Sequence, residues 1–332
     1  MAKSVTIGDI GEFGLLAELN ALLRREDDNI LLSPGDDCTA LRWPSGSVVA
    51  SSDAMVEGVH FVLQWTEPED LAWKALASAV SDLAAKGAEP AGALVTLGLV
   101  PSMEVDWVLR MYRFWASLDE PWGCPILGGD VVRSPVFFVD VFVFGSPTLS
   151  ILVRNSTART GDQILVTGTL GDALAGLEVL QSRAIVSPGS PEEWVTRRFL
   201  RPVARVAEMR QLLTAGLVPT AMTDISDGLA RTLRNLRQAS GVGTRVRAQD
   251  FPLSDALCRL KGETAARFAW RGGEDYELLL TIPKDNTDTA LAIGQKVGVS
   301  LTWIGEMTGA GDEVAVDGLA NGEFESGYDH FG

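Results

Sequence analysis

PEDLAWKALASAVSDLAAKGAEP, residues 68–90, decides how this chain folds. Leu71, Leu76, Val80 and Leu83 recur at helical spacing and make one apolar side. Lys74, Ser78, Ser81 and Asp82 recur on another side. Thr66 is placed to cap the helix, Gly87 to stop it, and Pro90 to keep it from resuming. Strand-like runs flank it at 48–52 and 93–99, and a third follows at 136–145 (VFFVDVFVFG). A second helical pattern, 104–118 with Trp107 and Trp115, lies between the last two. Interleaved strands and helices predict an α+β or α/β fold.

Working outward, residues 9–26 (DIGEFGLLAELNALLRRE) read as an amphipathic helix with basic residues in its last turn. Around 146–160 the pattern becomes turn-rich, and a new series opens with the strand DQILVTG. The domain boundary is therefore expected there, giving domains 1–148 and 149–332. The second half reads as GTLGDALAGLEVLQS (turn into helix), then RRFLRPVARVAEMRQLLTAG (helix), then the strand-to-helix unit AMTDISDGLARTLRNLRQASGVG. Strands are expected around 243–248, 275–282 and 300–305.

With 332 residues, two domains are the default. No apolar run approaches the ~18–20 residues that span a bilayer, which argues against a membrane protein. The N-terminus carries no apolar stretch of the secretory kind. Cys38, Cys124 and Cys258 are isolated, which fits a reducing cytoplasm and excludes a paired-thiolate metal site. The net charge of −16 excludes a generic nucleic-acid binder. A chain so acidic that handled phosphates would need divalent cations as well as its own basic groups.

Acids recur beside glycines or hydroxyls at the ends of elements: Asp36 and Asp37 in GDD, Asp53 in SSD, Asp82, Asp130 in LGGD, Asp224 and Asp227 in TDISDG, Glu274 and Asp275 in GGEDYEL. Singly, each reads as a turn or cap residue. Together they are costly to bury without cations, and hard oxygen donors suit Mg²⁺. Asp53 is expected to end its strand, with His60 close behind. With two histidines, a histidine-rich metal site is excluded, and no Walker A loop, intact GxGxxG, HExxH or GxSxG occurs.

GDDCTAL, SSDAMVEGVHF, DLAWKALASAVSDLAAKGAEP, LGGDVVRSP, TDISDGLA, GGEDYELLLTIP and the final GYDHF resemble, in order and approximate spacing, the thiamine-monophosphate kinase family. That family belongs to the superfamily of aminoimidazole ribonucleotide synthetase, selenophosphate synthetase and HypE. The resemblance implies a two-domain, PurM-like α+β fold. Its N-terminal sheet domain would bind ATP and Mg²⁺ and form a homodimer, and its C-terminal domain would be an α/β sandwich. It implies ATP-dependent phosphorylation of thiamine monophosphate, assisted by several Mg²⁺ ions. Asp37, Ser51, Ser52, Asp53, Asp82, Asp130, Asp224 and Asp227 would be metal ligands, with Asp53, Asp82 and Asp130 assisting the transfer. Gly129, Asp130, Arg154 and Ser226 would contact ATP; His60, Glu274 and Tyr328 would contact the acceptor. The chain departs from the family's usual pattern at Ala54, Lys86, Val131 and Val132, and none of these removes a carboxylate. An aminoimidazole ribonucleotide synthetase-like enzyme, or a non-catalytic nucleotide- or cation-binding protein, is the alternative.

Overall fold

The run Val49–Val56, VASSDAMV, alternates in burial, so its odd positions face a core and its even positions face outward. In the computed structural model it is strand β3, paired antiparallel with β6 (Phe138–Pro147) from Val49 opposite Gly145 to Val56 opposite Phe138. The structure describes residues 47–117 and 122–319, together with residues 5, 6, 9, 10, 15, 18, 22, 30–32 and 40–41. Residues 9, 10, 15, 18 and 22 are helical; the rest of the helix expected over 9–26 lies outside the described residues. The short strands β1 (Ile30–Leu32) and β2 (Ala40–Leu41) pair with each other.

The chain forms two units, one of Met1–Leu83 with Glu89–Ser150, the other of Ala84–Ala88 with Ile151–Gly332. In the first, β4 (Ala88–Leu99) and β5 (Ile126–Arg133) complete a four-stranded sheet of order β3-β6-β4-β5. Val95, Leu97, Val139, Val141 and Val143 are buried on one face. Helices α1 (Pro68–Ala85) and α2 (Val105–Ser117) are tied together where the Trp115 indole N–H donates to the Ala72 carbonyl at 2.8 Å. Gly129 is required where β5 meets β4, because a Cβ there would lie 1.7 Å from the Val95 carbonyl oxygen.

Two expectations need correction in this unit. Asp53 does not end its strand: β3 runs on to Val56, and the chain turns only at Glu57–His60. The polar side of α1 is also buried: Lys74, Ser78 and Ser81 are as buried as Leu71 and Val80. Thr66 does not cap α1, because its hydroxyl is buried and makes no hydrogen bond among the described residues.

The second unit is built on a six-stranded sheet of order β12-β9-β11-β7-β10-β8. Its strands are β7 (Gln163–Thr167), β8 (Ala221–Ile225), β9 (Thr244–Arg247), β10 (Glu277–Ile282), β11 (Leu301–Met307) and β12 (Val314–Asp317). Its helices are α3 (Asp172–Ser182), α4 (Pro191–Leu200), α5 (Val206–Thr214), α6 (Leu229–Ser240), α7 (Asp255–Lys261), α8 (Ala265–Arg271) and α9 (Thr287–Val297). Strands β7 and β10 are buried along their whole length, the mark of central strands covered on both faces. Helices α6 and α8 share a core with Ile164, Val166, Leu279 and Ile304. RRFLRPVARVAEMRQLLTAG, read as one helix, is two: α4 stops at Leu200 and α5 starts at Val206, because Pro202 cannot donate its backbone nitrogen. Strand β12, which the sequence did not suggest, pairs parallel with β9.

Candidate active site

In the first unit, Ser51 and Asp53 project from β3 on the same side as buried Met55. From α1, Asp82 reaches that side of β3, and the Ser51 hydroxyl donates to its Oδ2 at 2.5 Å. Ser51, Asp53 and Asp82 are thereby gathered on the helix-covered side. Ser52 points the other way, and its hydroxyl donates to Asp140 Oδ1 on β6 at 2.8 Å. Asp130 also faces the other way. It lies opposite Thr96 in the β4–β5 ladder, next to buried Val131 opposite Leu97, and its Oδ1 accepts the Val131 N–H at 2.9 Å. The structure therefore does not place Ser52 and Asp130 on the side of Ser51, Asp53 and Asp82. Asp140 was missed as the neighbour of Ser52, although an acid inside the apolar run VFFVDVFVFG was the available signal.

His60 closes the turn after β3. Its Nδ1 accepts the Val56 N–H at 3.0 Å, so the ring is the tautomer with its proton on Nε2. An Nε2–H donor is suited to an anionic oxygen. Gly58, at φ 81°, supplies the left-handed step of this turn.

In the second unit, Asp224 is buried on β8, and Ser226 and Asp227 follow in the turn before α6. The Glu274 N–H donates to the Ser226 carbonyl at 2.6 Å, which sets Glu274 against this turn. Arg154 and Lys86 flank the same strand: the Met222 N–H donates to the Arg154 carbonyl at 3.0 Å, and Lys86 Nζ lies 3.5 Å from the Met222 carbonyl. Asp224, Ser226, Asp227 and Glu274 are thus brought together around the end of β8, whereas Arg154 and Lys86 meet the strand at Met222, near its start. Asp36, Asp37 and Tyr328 lie outside the described residues.

The neighbouring acids Glu274 and Asp275 differ in role. The Asp275 carboxyl is buried and accepts from the N–H groups of Gly171 at 2.6 Å and Ala173 at 3.3 Å, so it fixes the start of α3. Burial pushes it up to about 8, against the opposing pull of those N–H groups and of Arg198. The folded state therefore holds a proton that the unfolded chain releases near pH 4. Stability is expected to fall as pH rises from about 4 to about 8. Asp275→Asn should flatten that slope in melting temperatures measured across this range; an unchanged slope would contradict the assignment.

The donor chemistry throughout is carboxylate and hydroxyl oxygen, which fits Mg²⁺ and does not fit a thiolate- or imidazole-bound metal. Among the described residues, no three acids, histidines or cysteines lie close enough to form a metal cluster by themselves.

Comparison with known proteins gives a consistent result. The model of the AIR synthase related protein N-terminal domain matches residues 35–146, and that of the C-terminal domain matches residues 159–318. The thiamine-monophosphate kinase of Salmonella typhimurium is 38% identical over 326 residues, covering 97% of this chain and 98% of the relative. The crystal structure of thiamine-monophosphate kinase from Stenotrophomonas maltophilia K279a superposes with a TM-score of 0.82 at 34% identity, covering 94% of this chain and 98% of that one. AaThiL complexed with AMPPCP and TMP superposes with a TM-score of 0.76 at 33% identity, covering 99% of this chain and 100% of that one.

Proposed function

Because the chain belongs to the thiamine-monophosphate kinase family within the AIR synthase related proteins, we propose the following reading of its site. The enzyme phosphorylates thiamine monophosphate with ATP, giving thiamine diphosphate and ADP. The observation that carries this is end-to-end similarity to AaThiL, a protein captured with AMPPCP and TMP. Residues 1–148 form the domain that binds ATP and Mg²⁺ and dimerises, and residues 149–332 form the α/β domain.

The nucleophile is a phosphate oxygen of the acceptor, already ionised at neutral pH, so no general base is required. This suits a chain whose only histidine among the described residues has one ring nitrogen engaged by Val56. The obstacle is repulsion between two anionic phosphate groups. Asp37, Ser51, Asp53, Asp82, Asp224 and Asp227 would hold the Mg²⁺ ions; Ser52 and Asp130 stay in the set by family resemblance alone. When bound, Mg²⁺ neutralises charge between the two phosphate groups. Gly129, Asp130, Arg154 and Ser226 take ATP, with Lys86 adding positive charge beside β8. Glu274 and Tyr328 contact the acceptor, and His60 donates to it from Nε2. The Ser51–Asp82 hydrogen bond orients the Asp82 carboxylate.

His60→Ala should raise the KM for thiamine monophosphate about tenfold, roughly 1.4 kcal/mol, with the KM for ATP little changed. Equal effects on both would return His60 to the turn alone. The metal assignment is tested by titrating MgCl₂ at fixed, saturated Mg·ATP. The rate should keep rising, and Asp224→Asn should shift the titration to higher Mg²⁺. A plateau once all ATP is metal-bound, in both proteins, would refute it.

The open face of the first sheet supports a homodimer. Phe142 and Val132 are 38% and 40% exposed there, beside exposed Ala50 and Ala54 and on the same face as the Ser52–Asp140 pair, and apolar side chains exposed on a sheet face call for a cover. Cys258 is a free thiol, in keeping with the cytoplasm. No helix of the described residues is long and apolar enough to cross a membrane.

A further inference from the structure

We propose that Arg198, on α4, is a positioning residue for the acceptor substrate and acts through Glu274; this rests on the assignment of Glu274 to the acceptor. The starting observation is backbone conformation. Glu274 and Tyr276 have φ of 66° and 53°, a left-handed region that residues with side chains adopt rarely and that clusters at ligand sites. Two such residues flanking one position must be held from outside.

The restraints are visible. On one side, the N–H groups of Glu274 and Tyr276 donate to the carbonyls of Ser226 at 2.6 Å and Ile225 at 2.9 Å. On the other, the Asp275 side chain is anchored to the N–H groups of Gly171 and Ala173. Arg198 closes the third side. Its Nη2 donates to the Asp275 carbonyl at 3.3 Å and to Glu277 Oε1 at 2.8 Å, joining the middle of the loop to the first residue of β10.

Glu277 itself does not depend on Arg198. It also accepts from Arg205, at 2.6 Å from Nε and 2.5 Å from Nη2, and from the Thr167 hydroxyl at 2.7 Å. The distinct contribution of Arg198 is therefore its bond to the loop backbone. Without it, residues 274–276 lose one restraint on the left-handed conformation, and Glu274 is held less firmly against the Ser226–Asp227 turn. The acceptor should be affected and ATP should not.

The test is a double-mutant cycle on the full chain: wild type, Arg198→Met, Glu274→Ala and the double variant, with both KM values, kcat and the melting temperature of each. Arg198→Met is expected to raise the KM for thiamine monophosphate about tenfold, ~1.4 kcal/mol, with the KM for ATP within about twofold. Glu274→Ala should raise the acceptor KM at least as much. The double variant should be no worse than Glu274→Ala, because a residue acting through another adds nothing once that other is gone. Arg198→Lys keeps a cation beside Glu277, should recover part of the acceptor KM, and serves in the cycle if the methionine variant does not fold. Additive effects, a parallel rise in both KM values, or a normal acceptor KM in the arginine variants would overturn the inference while leaving Glu274 in place. A normal acceptor KM in Glu274→Ala would overturn the inference together with the assignment of Glu274.

Discussion

Asp53→Asn should lower kcat by about 10²–10³-fold, roughly 3–4 kcal/mol of lost transition-state stabilisation, while the fold stays intact. Asn has the shape of Asp, and the eight-residue ladder between β3 and β6 uses backbone groups that the substitution leaves alone. What changes is one negative charge on the side of β3 where Ser51 and Asp82 meet. That charge is assigned to holding cations between two phosphate-bearing substrates, so its loss falls on the chemical step. Circular dichroism and melting temperature should match the wild type. A near-normal kcat at saturating Mg²⁺ would remove Asp53 from the ligand set.

The second large effect is on stability. Glu277→Ala should destabilise the second unit by about 3–5 kcal/mol, the cost of leaving buried charges without their partner. Glu277 is fully buried, and Arg198 and Arg205 are 11% and 18% exposed. Arg205 keeps Glu208, at 2.6 Å, whereas Arg198 would lose its carboxylate partner on Glu277. Gly168, at φ 54°, leaves the space this cluster fills, since a Cβ there would lie 2.2 Å from Glu277 Oε1. Urea denaturation should show the loss directly. A change below about 1 kcal/mol, the range of an exposed ion pair, would mean that the cluster is solvated in solution.

What the sequence revealed follows what is local. The helix 68–85 and the alternation around it were readable, because hydrophobic periodicity is a property of neighbours in the chain. Asp53 was misread as a strand end because Ser-Ser-Asp is turn chemistry. Here it lies within β3, which among the described residues is an edge strand bonded to β6 alone, where polar side chains are tolerated. Pro202 was on the page and should have split the helix. Strand β12, four residues long, is set by its pairing with β9 and had no signal of its own. Glu277, Arg198 and Arg205 lie too far apart in sequence for any motif to connect them. Glu274 and Asp275 look alike as letters, and only the structure at 274–276 separates a residue set against the Ser226 turn from one spent on fixing α3.

The central claim is phosphoryl transfer from ATP to thiamine monophosphate, and the most direct measurement follows both products in one reaction. Purified protein with ATP, thiamine monophosphate and excess MgCl₂ should yield thiamine diphosphate and ADP in equal amounts. Omitting thiamine monophosphate or chelating the metal should stop both. ADP formed without thiamine diphosphate, or no turnover with the protein folded and Mg²⁺ in excess, would contradict the account.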